Sequence, residues 1–186
     1  HLHPINLGMF SAGFAGASIE VVLLVAFQIL YGYVYNIVGI IVTVFMAGLA
    51  FGTFYRERLV KRTTVQSYYL LQLVLGGFSI LLPLIFILIK HVFVPSVLIH
   101  SIFILLMFVT SALVGMVFSL ASQIRLKKLV TIASDIYSVD LLGAGIGSFL
   151  VTIYLIPVLG VINVCLVIGG LLLMSGLLTL GRLRNY

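Results

Sequence analysis

Few residues in this sequence can do chemistry, and the most informative of them is Glu20. It sits roughly thirteen residues into an apolar stretch that starts near Leu7, or about 20 Å along a helix rising 1.5 Å per residue. If that helix crosses a bilayer, the carboxyl stands near the middle of the hydrocarbon. An ionisable group there costs a few kcal/mol and by default faces protein or a wet cavity. Such a group can pair with a cationic solute or exchange a proton with a substrate. The competing reading is a structural hydrogen bond to a neighbouring helix. Gln28 follows two turns later on roughly the same face and is positioned to line the same cavity.

The other candidates sit nearer the ends of apolar runs. Asp135 and Asp140 flank the start of a later run. A carboxylate there is stabilised by the helix dipole whatever else it does. Asp140 is the better candidate for solute contact, because it directly precedes a glycine-rich helix face. The basic loop from Arg56 to Arg62 supplies Arg56 and Arg58 as gating partners for Asp135 or Asp140. His91 and His100 are nine residues apart, with His100 inside a helix and His91 in a loop, so haem ligation between them is not expected. A quinone hydrogen-bonded by His100 is the alternative. No metal-ligand spacing and no Ser-His-Asp set is visible, so neither a catalytic residue nor a metal is expected, and no cofactor apart from that alternative quinone.

The elements that would position these residues follow from composition. Of 186 residues, 63% are hydrophobic and only 8% are charged, too few charges to cover a water-soluble domain. Apolar runs of about 20 residues, the length a bilayer requires, recur along the chain. We read six, spanning approximately 7–30, 34–55, 68–89, 97–121, 139–157 and 161–180. Tyr31 and Tyr33 mark an interface at the end of the first run, and Pro157 with Gly160 predicts a tight reversal between the last two. The polar stretch Thr131–Asp140 is expected to continue into the fifth helix, with Ser134 as its N-cap. Gly48 and Gly52, like Gly143 and Gly147, are spaced for close helix packing in lipid. The Gly143–Gly147 run follows no strand and has the wrong spacing for a dinucleotide loop.

Nine of the ten Lys and Arg residues fall on one side if six runs alternate, and Lys90 alone falls on the other. This bias places both termini in the cytoplasm. The net charge of +6 therefore reports orientation, and no nucleic-acid partner is expected. The single cysteine, Cys165, excludes an intrachain disulfide. The expected fold is all-α: one transmembrane domain over 1–186, multi-pass in a bacterial or archaeal inner membrane, with no soluble domain. The residues from His1 to Asn6 lack signal-peptide features, and the missing initiator Met suggests a processed or truncated piece of something longer.

Three stretches carry a family resemblance. Phe10–Val22, Phe45–Thr53 and Asp140–Ser148, the last continuing to Ile156–Gly160, resemble the first, second and fifth helices of membrane-embedded spermidine synthase-like proteins, in that order. The resemblance spans most of the chain. It implies a membrane module of the kind that precedes an aminopropyltransferase-like domain, and a likeness to half of a major facilitator transporter. It does not imply aminopropyl transfer by these residues. The function expected is binding or transport of a small cationic solute such as a polyamine, at Glu20, Gln28 and Asp140, by a homo-oligomer or a part of a larger complex. The alternative is an anchoring or quinone-facing subunit of a membrane redox or enzyme complex.

Overall fold

The computed structural model describes residues 4–32, 38–60, 64–91, 95–126 and 133–183. All of the regular structure in these residues is helical: α1 Pro4–Tyr31, α2 Val38–Leu59, α3 Val65–His91, α4 Ser96–Leu126, α5 Ala133–Leu150 and α6 Ile156–Leu183, with a π turn at Val151–Leu155 joining the last two. Five helical stretches are long and apolar enough to cross a bilayer: Leu7–Ile29, Gly39–Arg58, Gln66–Ile89, Val97–Ile124 and Tyr137–Leu178. The chain is thus a multi-pass membrane protein. His1 to His3, Tyr33 to Ile37, Lys61, Arg62, Lys127, Lys128, Thr131, Ile132 and Arg184, which entered the expectations above, lie outside the described residues.

Local chemistry sets the helix ends. Pro4 opens α1, where its missing N–H costs nothing. Gly32, at φ 88°, closes α1 by donating its N–H to the Gln28 carbonyl at 2.9 Å. Thr64 caps α3, its Oγ1 accepting from the Ser67 N–H at 3.4 Å. The polar stretch before the fifth run is helical from Ala133, as expected, but this puts Ser134 inside the first turn and not at the cap. Pro157 supplies no N–H and its ring crowds the carbonyl four residues back, and the helix widens to the π turn just before it. At Gly160 the backbone leaves the helix altogether, at φ 77° and ψ 161°, a region open essentially to glycine alone.

Consecutive helices alternate in direction. The Met9–Ala12 turn of α1 packs with Tyr68 and Leu71 at the start of α3 and with Val117, Leu120 and Ala121 near the end of α4. Gln123 of α4 donates to Glu57 near the end of α2 at 3.3 Å. The Ser11 and Ser175 hydroxyls of α1 and α6 are 2.7 Å apart. The starts of α1, α3 and α5 and the ends of α2, α4 and α6 therefore share one end of the bundle. At the other end, Phe27 packs edge-on against Phe103, which stacks on Phe86 at 5.9 Å.

The packing has an internal symmetry. The longest contacts are α2 along α4, α1 along α5 and α3 along α6; α1 also packs on α6 and α4, and α3 on α4. Exchanging each helix for the one three places away turns α2 on α4 into α5 on α1, and α1 on α6 into α4 on α3. The other two contacts map onto themselves. The correspondence reaches individual residues. Gly48 and Gly52 bring α2 against the carbonyls of Phe108 and Ala112, while Gly143 and Gly147 bring α5 against those of Phe10 and Phe14. Gly16 of α1 packs on Val114 of α4, its own counterpart in that register. Since α1 and α4 run oppositely, the two three-helix halves form an inverted repeat.

Candidate functional site

The repeat leaves α1 and α4 at the centre, and the burial pattern of α1 isolates one face. Met9, Ala12, Ala15, Ser18, Ile19, Val22, Leu23, Ala26 and Phe27 are buried against other helices. Ala17, Glu20, Val21 and Leu24 are only half-buried, and Gln28 is exposed. Glu20, Leu24 and Gln28 are successive positions four apart, so they form one ridge along the helix. Glu20 thus lies on the side of α1 that the other described residues cover only in part. Among the described residues its carboxylate has no hydrogen-bond or salt-bridge partner. Ser18, two residues earlier, faces Gly147 of α5 and is fully buried.

Asp140 reaches this line from another helix. Gly13 of α1 lets α5 approach so closely that a Cβ there would stand 2.7 Å from Asp140 Oδ1. Gly13 is seven residues before Glu20, two turns down the same face and about 10 Å along the axis. Asp140, Glu20 and Gln28 are therefore spread along one side of α1, with Glu20 and Gln28 about 12 Å apart. The structure orders these three along a line without bringing any two into contact.

The remaining candidates occupy other places. Arg56 is 2% exposed in the α2–α4 contact, its Nη2 3.7 Å from Glu57 Oε1, and its Nε has no hydrogen-bond partner among the described residues. Arg58 is exposed, its guanidinium 5.7 Å from the Tyr55 ring centroid. No salt bridge joins either arginine to Asp140 in this conformation. Asp135 lies in the first turn of α5, and a gating contact to it rests on a side chain outside those described. His100, on α4, is half-buried and meets the Phe27 ring edge-on at 5.3 Å. No cluster that could hold a metal ion occurs among the described residues.

Sequence reasoning missed a second polar group, at the end of the bundle where α1 starts. Gln72 of α3 is fully buried, and its Nε2 lies 3.3 Å from the Gly8 carbonyl and 3.0 Å from both Ser11 Oγ and Ser175 Oγ. Tyr68, one turn earlier, is 1% exposed and lies over Gly8, where a Cβ would stand 2.5 Å from its hydroxyl. The signal was present as polar residues inside three apolar runs, which in lipid act as glue or as sites.

No family model, curated protein or solved structure significantly matches this chain.

Proposed function

We propose that the chain is a transport or binding module for a small cationic solute such as a polyamine, with Glu20 as its charge partner within the membrane. The observation that carries the reading is Glu20 on a central helix, only half-buried and without a partner among the described residues. A carboxylate at that depth is too costly to leave against lipid, so its face belongs to a wet cavity or to a protein contact. Asp140 toward one end and Gln28 toward the other extend the polar line, and suit a solute with several separated amines. Arg56 and Arg58 stand at the Asp140 end, where a change of conformation could pair them with Asp135 or Asp140.

The inverted repeat supports transport, because many transporters place their substrate sites at the junction of such repeats. A single pair of three-helix halves is half of the usual assembly, so a second copy or another half is expected to cover the Glu20 face. The resemblance to spermidine synthase-like membrane proteins points the same way. In this reading the stretch Tyr137–Leu178 crosses twice, for 42 helical residues would span about 63 Å against a hydrocarbon core of about 30 Å. The break at Gly160 supports two crossings, as does the opposite course of α5 and α6 along α1. Arg56, Arg58, Arg125 and Arg182 lie in helix segments at the end shared by both termini and Lys90 at the other, which supports a cytoplasmic placement of the termini.

The reading is tested by equilibrium binding of radiolabelled spermidine to the chain in lipid nanodiscs. Saturable binding that falls tenfold or more in Glu20→Gln, about 1.4 kcal/mol, supports it. Unchanged binding in the variant sinks it. The alternative, a quinone-facing or anchoring subunit, has the half-buried His100 beside Phe27 in its favour. A redox subunit recovered in stoichiometric amount after gentle purification would establish that reading instead.

A further inference from the structure

Glu20 and Asp140 come from different helices, yet they share one side of α1. Gly13 meets the Asp140 carbonyl, and a Cβ there would stand 2.7 Å from Asp140 Oδ1. Positions 13, 17 and 20 follow one another along a single ridge of a helix, so the Asp140 carboxylate lies in line with Glu20. Between them stands Ala17, small and half-buried. Two half-buried carboxylates are therefore set at the ends of a short, narrow apolar strip. Among the described residues neither is in a salt bridge.

The helix sets their separation. Seven residues at a rise of 1.5 Å put them about 10 Å apart along the axis. Helical side chains lean toward the N-terminus, which for Glu20 is the Asp140 side, and this brings the gap to about 8–10 Å. A monoamine answers one of the two charges and leaves the other unanswered, which is costly away from water. A linear diamine answers both when its ammonium groups match the gap. A saturated chain with bonds of about 1.5 Å and angles near 111° advances about 1.25 Å per bond, so the gap takes about seven or eight bonds. That is the length of 1,6-diaminohexane or 1,7-diaminoheptane, whereas 1,4-diaminobutane spans only about 6 Å. Spermidine, with nine bonds between its terminal nitrogens, reaches about 11 Å and fits with a slight bend. On the reading of Glu20 as the charge partner of a cationic solute, we propose that Asp140 and Glu20 select linear di- and triamines by the separation of their terminal ammonium groups. Asp140 is the specificity-determining end, and Ala17 is the floor on which the methylenes lie.

The test is competition by unlabelled amines against radiolabelled spermidine, on the whole chain in lipid nanodiscs. The competitors are α,ω-diamines from 1,4-diaminobutane to 1,10-diaminodecane, with heptylamine as the single-charge control. Affinity should rise about tenfold or more from 1,4-diaminobutane to 1,7-diaminoheptane. Heptylamine has the same methylenes and one charge, and should compete about tenfold or more less well than that diamine. In Asp140→Asn the preference for length should flatten, whereas Glu57→Gln, which removes an exposed carboxylate elsewhere, should keep it. Cooperative unfolding of each variant in SDS, followed by the reactivity of buried Cys165, shows that it folds. The native series decides even if Asp140→Asn does not fold. Equal affinities across the diamines would overturn the proposal, as would heptylamine competing as well as 1,7-diaminoheptane, or a length preference that survives Asp140→Asn. If diamines of all lengths bind alike and Glu20→Gln still removes binding, the solute reading stands and the selection by length falls. If no amine binds, both fall.

Discussion

Two glycines two residues apart on α5 should respond to the same substitution with opposite signs. Gly147 packs on α1, and a Cβ there would stand 2.6 Å from the Phe14 carbonyl oxygen and 2.9 Å from Ser18 Oγ. The first of these is backbone, so relief requires the two helices to separate. Overpacking of this kind costs typically 1–3 kcal/mol, while alanine regains up to about 1 kcal/mol of helix propensity. The net expectation for Gly147→Ala is a loss of about 1–2 kcal/mol. Gly145 has nothing within 4 Å of its virtual Cβ, so Gly145→Ala should be neutral or stabilising by about 0.4–1 kcal/mol. Equilibrium unfolding by SDS titration, followed by the reactivity of Cys165, measures both. Under the internal symmetry Gly52→Ala should behave like Gly147→Ala, because Gly52 meets the Ala112 carbonyl in the corresponding place. Equal stabilities of the Gly145 and Gly147 variants would refute the packing argument, and a harmless Gly52→Ala would refute the repeat.

Other consequences can be checked with the same preparation. Gly160→Ala should cost about 1–3 kcal/mol in the SDS titration, since alanine tolerates φ 77° and ψ 161° poorly. Gly77→Ala, in open space, is its control. Ser175→Ala takes away one of the three acceptors at the Gln72 amide and should cost about 1 kcal/mol, leaving Gly8 and Ser11 to hold it. In a Cys165→Ser background, cysteines placed at Glu57 and at Gln123 should be labelled by a membrane-impermeant maleimide from one face of the membrane only. A cysteine at Val97 should be labelled from the opposite face, and same-side labelling would contradict the alternation of helices.

The helices were legible in the sequence because apolar length and flanking charge are local properties. Segments bounded near Leu7, Tyr68 and Val97 fall inside α1, α3 and α4, and the glycine pairs in the second and fifth runs do mark close helix contacts. What hydropathy could not give is which helix each run touches, since lipid-facing and protein-facing sides are almost equally apolar. The Gly48–Phe54 and Gly143–Phe149 stretches do echo one another, with Gly, Gly and Phe at matching places. Their meaning as an inverted repeat emerges only once Phe108 and Ala112 are seen opposite one and Phe10 and Phe14 opposite the other.

The candidate site divides in the same way. Glu20 stood out because a carboxylate in an apolar run is locally anomalous, and the structure leaves it half-buried on α1. Asp140 was legible as an acid at a helix start, but its place two turns below Glu20 depends on α5 crossing at Gly13. Arg56 reads in sequence as a topology signal and a gating partner, yet it is buried, one turn beyond Gly52 on the helix that packs along α4. Tyr68 and Gln72 are one turn apart on α3, but Ser11 and Ser175 come from two other helices far along the chain, and no spacing rule connects the three.

The measurement that tests the central claim most directly is chemical modification of Glu20 itself. A hydrophobic carbodiimide would be applied to the chain in lipid nanodiscs, with and without spermidine, and the modified carboxyls located by peptide mass spectrometry. The account predicts that Glu20 is modified in the absence of spermidine and protected in a saturable way by it, while exposed Glu57 is unaffected. Modification of Glu20 to the same extent at every spermidine concentration would contradict the assignment of this carboxylate to a cationic solute.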